Sequence, residues 1–353
     1  MYLHIIMYID CCIIGAYSTR ALIPSNQLRK IPDKKISFAQ AAAVPAVALT
    51  ALYALHLGGA FPFVVNNNNT NTDNKIDKKM NKDIDATNSS TNTNTNSNIT
   101  VIGGSKQNKS ILIHSAAGGV GSMLVQMSQV LGLSPIVGVV GRTSKVSEAR
   151  SLGCDIVIDK EQETKMNATT IWKAIERAGP EEGYSIIMDP NGVSTLQDSY
   201  DHLCPTGRLV VFGFHSNLPM DDGRSSSAGF LNPLEWMKMI IKSIQMPKFD
   251  PMDMVTSNKS VLGFNLSFFV DEIDMLTPMY DQIETWLLSS SSSSSSSLND
   301  DGNDDDSDNA KTSLLRFPRI TQLKMEQIGT AHKLIQSGKT IGKLVMIAGG
   351  RRE

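Results

Sequence analysis

The stretch ILIHSAAGGVGSMLVQMSQVLG runs from Ile111 to Gly132. It opens with strand character, breaks into small residues, and resumes with apolar residues at helical spacing. Ala116-x-Gly118-x-x-Gly121 is a glycine fingerprint with Ala in its first place, set between a strand and a helix. In such a turn Gly118 lets the backbone approach a pyrophosphate, and Gly121 lets helix and strand pack closely. The amides of Gly119 and Val120 then point at the phosphates from a helix N-terminus. A packing turn needs the same small residues, so the flanking sequence has to decide between the two readings.

Working outward, strands are expected at 111–115, 135–141, 155–159, 184–189, 207–213 and 260–266. Helices are expected at 119–131, 143–152, 169–178, 193–203 and about 233–245. Short apolar runs separated by amphipathic helices indicate a parallel sheet covered on both faces. Six strands with right-handed crossovers make an α/β, doubly wound Rossmann sheet. In that setting the turn reads as a dinucleotide site.

The second strand ends in Val139-Val140-Gly141, followed by Arg142-Thr143-Ser144-Lys145. An NAD site places Asp or Glu there to accept from the ribose hydroxyls. Here two cations and two hydroxyls stand where a 2′-phosphate would lie, and the next carboxylate along the chain is Glu148. Charge-assisted bonds from Arg142 and Lys145, with Thr143 or Ser144, favour NADP(H). The competing reading is an ordinary solvated helix start.

Two tracts interrupt the pattern. Residues 66–98 are mostly Asn, Thr, Ser and Asp, and nine serines from Ser289 to Ser297 precede an acidic run. Neither holds enough apolar surface to offset the entropy of ordering, so both are expected to be disordered insertions. A net charge of −2 gives no global case for nucleic acid or an anionic membrane. The four cysteines show no metal-site spacing, so metal is not expected, and a reducing, cytoplasmic setting is. The apolar N-terminus contains Asp10 and lacks a basic leader, and no integral membrane segment is expected elsewhere.

Six blocks together carry a resemblance: AAAVPAVALTALYAL (41–55), SAAGGVG (115–121), IIMDPNGVSTL (186–196), GRLVVFGF (207–214), VLGFNLSFF (261–269) and AHKLIQSGKTIGKLVM (331–346). In order and spacing they resemble the zinc-free medium-chain dehydrogenases/reductases, quinone oxidoreductase (zeta-crystallin) type, particularly the vesicle amine transport protein branch. The resemblance implies a nicotinamide-binding sheet domain, a GroES-like β domain, and a cleft between them. The implied chemistry is hydride transfer from NADPH to a small quinone or α,β-unsaturated carbonyl. The cofactor carries the hydride and the protein supplies binding and orientation, so no strong protein acid is required.

The resemblance also implies site roles. Thr50 approaches the nicotinamide end. Ala117, Gly118, Gly119, Val120 and Gly121 form the pyrophosphate cradle, Lys145 takes the 2′-phosphate, and Lys160 replaces an aromatic residue beside it. Asn191 lies near the ribose. Gly213 and Phe214 end the fifth strand under the nicotinamide half, and Phe264, Asn265 and Leu266 line its pocket. Lys343 stands near the cofactor. No catalytic side chain is assigned. A homodimer through 261–269 is implied as well.

Most of the GroES-like domain is missing from the pattern. The expected organisation is 1–40 as its remnant, 41–65 as a connecting helix, 66–109 and 289–312 as insertions, 110–288 as the NADP-binding domain, and 313–353 as the return to the GroES-like domain. Two readings of the short N-terminal part compete: a truncated reading of a longer gene, or a short protein that has lost its substrate side. The alternative function is therefore a catalytically impaired NADP(H)-binding or membrane-peripheral protein of the same fold. Among the remaining residues, His114 reads as packed and hydrogen-bonded, His56 as an end-of-helix cation or solvent contact, and His215 as a substrate contact candidate. Cys154 and Cys204 read as buried small residues. The Met-rich stretch 236–260 reads as a core-facing helix followed by a loop, or as a lid or oligomer contact.

Overall fold

In the computed structural model the described residues are 4–6, 25–31, 36–61, 109–166, 171–214, 237, 241, 244–268, 272–288 and 314–347. Both tracts read as insertions, His215 and nearly all of the helix expected at 233–245 lie outside them.

In chain order the elements are β1 (His4–Ile6), β2 (Leu28–Lys30), α1 (Phe38–Ala43), α2 (Pro45–Leu57), β3 (Ile111–His114), α3 (Gly119–Val130), β4 (Ile136–Val140), α4 (Val146–Leu152), β5 (Ile156–Asp159), α5 (Lys160–Met166), α6 (Ile171–Ala178), β6 (Tyr184–Asp189), α7 (Leu196–Asp201), β7 (Leu203–Val211), α8 (Pro251–Ser257), β8 (Ser260–Gly263), α9 (Ile273–Leu288), β9 (Ile320–Lys324), α10 (Ile328–Gln336) and β10 (Lys343–Ile347). The main sheet has the order β5-β4-β3-β6-β7-β8, and every pairing in it is parallel. The order reverses between β3 and β6, which places a crevice at the carboxyl ends of those two strands.

β3 and β4 are buried along their whole length, as strands covered on both faces must be. On one face Trp172 and Ile175 of α6 and Leu196 and Tyr200 of α7 join Leu112, Val137 and Ile187 of the sheet in one apolar cluster. On the other, α2 packs between α3 and α9. Its sequence PAVALTALYALHL supplies small and branched apolar groups on nearly every side, and Val47 to Leu49, Ala51, Leu52, Ala54 and Leu55 are all buried. Pro45 begins that helix, where its missing N–H is harmless. Ser37 and Gln40 cap α1 reciprocally, each side chain bonding the other's backbone.

Several expected boundaries shift. The helix expected at 143–152 begins as a tight 3-10 turn over Thr143–Lys145, and the one at 193–203 shrinks to α7. The strand expected at 260–266 stops at Gly263. The fifth strand starts at Leu203 instead of Gly207, because Cys204–Gly207 form a bulge between the Tyr184↔Leu203 and Ile186↔Arg208 pairs. The Pro-Thr-Gly run that looks like a turn is absorbed there, with Thr206 at φ 69°. α5 has no apolar face to betray it; Asp159 Oδ1 starts it by accepting from the Glu161 and Gln162 amides. α9 hides behind Pro278, which lies inside the helix as its sixth residue, where local sequence would place a break.

Outside the main sheet, β1 pairs antiparallel with β2. β9, α10 and β10 make a βαβ unit with a parallel pair, Lys343↔Ile320 to Ile347↔Lys324.

Candidate functional site

The turn after β3 starts at Ser115, held at φ 58°. Its carbonyl accepts the Gly118 amide at 2.9 Å, which folds the chain back into α3. A Cβ placed on Gly121 would overlap that same carbonyl oxygen and stand 2.9 Å from the carbonyl carbon of Ala116. Only glycine fits there. Gly118 takes an extended conformation as the N-cap of α3, and its carbonyl starts the helix by accepting from Ser122 at 2.9 Å. The following amides, from Gly119 to Gly121, stand at the helix's open end, where the backbone has no carbonyl to offer them. Such an end attracts an anion.

Beside this turn lies an open crevice. His114 and Ser115 from the end of β3, Val139 and Gly141 from β4, and Lys160 after β5 form part of its wall. Asn191, from the loop after β6, stands opposite, and Ser115 Oγ donates to Asn191 Oδ1 at 3.4 Å. Trp172 at the start of α6 adds an aromatic face. The crevice is thus built from the carboxyl ends of four adjacent strands, at the point where strand order reverses.

Arg142, Thr143 and Lys145 follow β4 at the same edge. Lys145 is half-buried, and burial, then the neighbouring Arg142 charge, lowers its pKa. Arg142 Nη2 donates to the Ser337 carbonyl at 3.1 Å, so this cation is shared with the C-terminal segment. Tertiary folding also brings in a carboxylate that sequence distance concealed: Glu161 accepts from the Thr143 amide at 3.3 Å. That carboxylate is held by Lys165 at 2.9 Å, and this contact, then the Thr143 amide, lowers its pKa. Glu148 instead faces Arg319 at 3.5 Å.

Most of the remaining candidates form a second group at the carboxyl ends of β7 and β8. Phe264 meets Tyr53 edge-on at 4.9 Å and Phe212 at 6.2 Å. Gly213 presses close to the loop after β6, since a Cβ there would come within 2.8 Å of the Pro190 carbonyl oxygen. Phe214 is 52% exposed, whereas Leu266 is buried. Asn265 spends its side-chain oxygen on the Ser267 amide at 3.1 Å. Thr50 donates to the Ala46 carbonyl at 2.6 Å within α2. That helix reaches the turn through Val47, which a Cβ on Gly119 would meet at 3.1 Å, and Thr50 lies one turn further along the same face. Lys343 also stands at Gly119, with its Cδ 3.7 Å from the same built position.

Sequence reading missed Tyr53, Phe212 and Trp172 as site-flanking residues. Tyr53 could have been found from Thr50, three residues earlier on one helix face. Nothing local marks Trp172. His114 is buried and bonded as expected, with its Nε2 3.2 Å from Ser199 Oγ. Cys154 is buried, its thiol pushed up to about 12 by burial and then by Asp155, and Cys204 is half-buried. Among the described residues no three His, Cys, Asp or Glu side chains gather as a metal would require. No helix among them is long and apolar enough to cross a membrane.

This combination of parallel sheet, glycine turn and switch-point crevice defines the dinucleotide-binding class of α/β domains. Residues 119–277 match the family model described as zinc-binding dehydrogenase. The chain is 25% identical over 252 residues to the synaptic vesicle membrane protein VAT-1 homolog of Rattus norvegicus, covering 71% of this chain and 52% of that protein. It is 25% identical over 206 residues to a 2-haloacrylate reductase from Burkholderia sp., covering 58% and 46%. The quinone oxidoreductase of Escherichia coli, solved with NADPH, superposes with a TM-score of 0.57 at 17% identity, over 94% of this chain and 72% of that one. The chain is thus similar to zinc-free medium-chain dehydrogenases/reductases of the quinone oxidoreductase type, VAT-1 homologs among them. It spans about half the length of the curated relatives it matches.

Proposed function

We propose that this protein binds NADP(H) in the crevice described above and reduces a quinone or an α,β-unsaturated carbonyl compound. The observation that carries the reading is the glycine turn itself. A backbone packed too closely at Gly121 for any side chain, opening onto the free end of α3 at the switch point, fits a diphosphate. When bound, the cofactor supplies the hydride. The residues of this chain bind and orient: the turn and α3 face the pyrophosphate, and Lys160, Asn191 and Trp172 flank the adenosine half. Arg142 and Lys145 attract a 2′-phosphate, with Glu161 neutralised by Lys165. Thr50, Tyr53, Phe212 and Phe264, with the main chain at Gly213 and Asn265, flank the nicotinamide half and exclude water from one of its faces.

Titration of the full chain with NADPH, followed by fluorescence, tests binding, and NADPH oxidation in the presence of a quinone series and an enone series tests activity. Saturable binding with turnover supports the reading. Binding without turnover supports the alternative, a nucleotide-binding relative that does not catalyse. A folded protein that binds neither NADPH nor NADH ends both. We place the protein in a reducing, cytoplasmic setting and expect it to pair with a second copy through the free edge of β8.

A further inference from the structure

The crevice is braced by buried polar side chains: His114 in its wall, with Ser199 and Asp189 behind it. Asp189, the last residue of β6, is wholly buried. Its Oδ1 accepts from the Asn191 amide at 2.8 Å and the Gly192 amide at 3.4 Å, and its Oδ2 accepts from Ser199 Oγ at 2.8 Å. The Ser199 hydroxyl proton is thereby committed to Asp189. The contact of Ser199 Oγ with His114 Nε2 at 3.2 Å must then run the other way, with the ring nitrogen donating. Burial favours the neutral ring, which fixes it as the Nε2–H tautomer. Trp172 closes one side of the ring edge-on at 5.6 Å and is itself stacked on His202 at 4.7 Å.

The chain of bonds therefore runs from the last residue of β3, through a hydroxyl on α7, to the carboxylate that shapes the loop after β6. These are the two flanks of the crevice, and on its open side Ser115 Oγ reaches Asn191 Oδ1 across the same gap. We propose that His114 and Ser199 are positioning residues, which through Asp189 set the place of the Asn191–Gly192 turn and so the fit of the nucleotide's ribose. The proposal rests on the nucleotide reading above for its ligand, but the brace itself does not. A serine at 199 spent on packing alone would need no acceptor. Here it is fully buried and satisfies both neighbours at once, where leaving either unpaired would be costly.

The test is a double-mutant cycle on NADPH affinity in the full chain. Ser199→Ala is expected to weaken binding about tenfold, the effect of roughly one lost hydrogen bond. In an Asn191→Ala background the same substitution is expected to change affinity by less than about twofold, because the group it positions is gone. Additive losses would overturn the proposal, since they would mean that Ser199 acts only through general stability. Hydrogen exchange gives a ligand-free arm: in Ser199→Ala the Asn191 and Gly192 amides should exchange faster while those of Ile186–Met188 keep their protection. Unchanged exchange at 191 and 192 would overturn the brace even if NADPH did not bind. Absent NADPH binding by the unaltered protein would instead refute the nucleotide reading. Should Ser199→Ala not fold, His114→Gln, which leaves the Ser199–Asp189 bond in place, carries the same cycle with the same two outcomes.

Discussion

The backbone of Gly342 lies against that of Gly118 in a parallel bridge, and the Gly342 amide donates to the Ala117 carbonyl at 3.1 Å. Two glycines more than two hundred residues apart thus join the C-terminal βαβ unit to the turn of the main sheet. Gly342 sits at φ 67°, and a Cβ there would overlap the Arg319 carbonyl oxygen. The contact delivers Lys343 to Gly119 and the Ser337 carbonyl to Arg142.

Gly342→Ala should lift this strap without unfolding the sheet. NADPH affinity is expected to fall several-fold while the main thermal transition moves little, because the sheet's own core does not include residue 342. Calorimetry paired with NADPH titration checks both; a large loss of the main transition with unchanged affinity would contradict the assignment.

Gly121→Ala should behave differently. The added methyl meets backbone rather than a movable side chain, so destabilisation of roughly 1–3 kcal/mol is expected, together with loss of nucleotide binding. Gly141→Ala is the control, since a Cβ there meets nothing within 4 Å. Urea midpoints of the two variants should separate clearly.

Lys145→Ala should weaken NADPH by roughly 1.5–3 kcal/mol, a factor of about ten to about a hundred, and NADH hardly at all. Arg142→Ala should show the same preference with a smaller loss, because that guanidinium already bonds Ser337. Equal losses for both cofactors would remove the 2′-phosphate from this patch.

Burial holds the His114 pKa below its ordinary value of 6.5, against the opposing charge of Asp189 and with a smaller push from Lys160. The unfolded chain therefore takes up a proton that the folded chain refuses. Stability from this group is full above the ordinary value and is lost as pH falls through it towards the folded value. Denaturant midpoints measured between about pH 8 and about pH 5.5 should decline on the acid side, and less steeply in His114→Gln.

The free edge of β8 carries Gly263, which is exposed and where a built Cβ comes no closer than 3.9 Å to any atom. If a second copy pairs there, Gly263→Lys places charge on the seam and should yield a folded monomer. Light scattering beside the unaltered protein decides it. An unchanged mass would move the dimer seam elsewhere or remove it.

Much of this was already written in local sequence. The six strands, the glycine turn and the cations after β4 depend on neighbours a few residues apart, through periodicity, turn chemistry and the lack of a Cβ at Gly121. Tertiary structure decided the rest. It made a bulge of the Pro-Thr-Gly run in β7, because register with Tyr184 and Ile186 overrode the turn signal. It brought Glu161 to Thr143 and Gly342 to Gly118, and it linked His114, Ser199 and Asp189 beneath the crevice. Such contacts have no sequence period to announce them: they arise where crossovers return distant strand ends to one edge, and a buried hydroxyl or carboxylate must then take the partner it finds there.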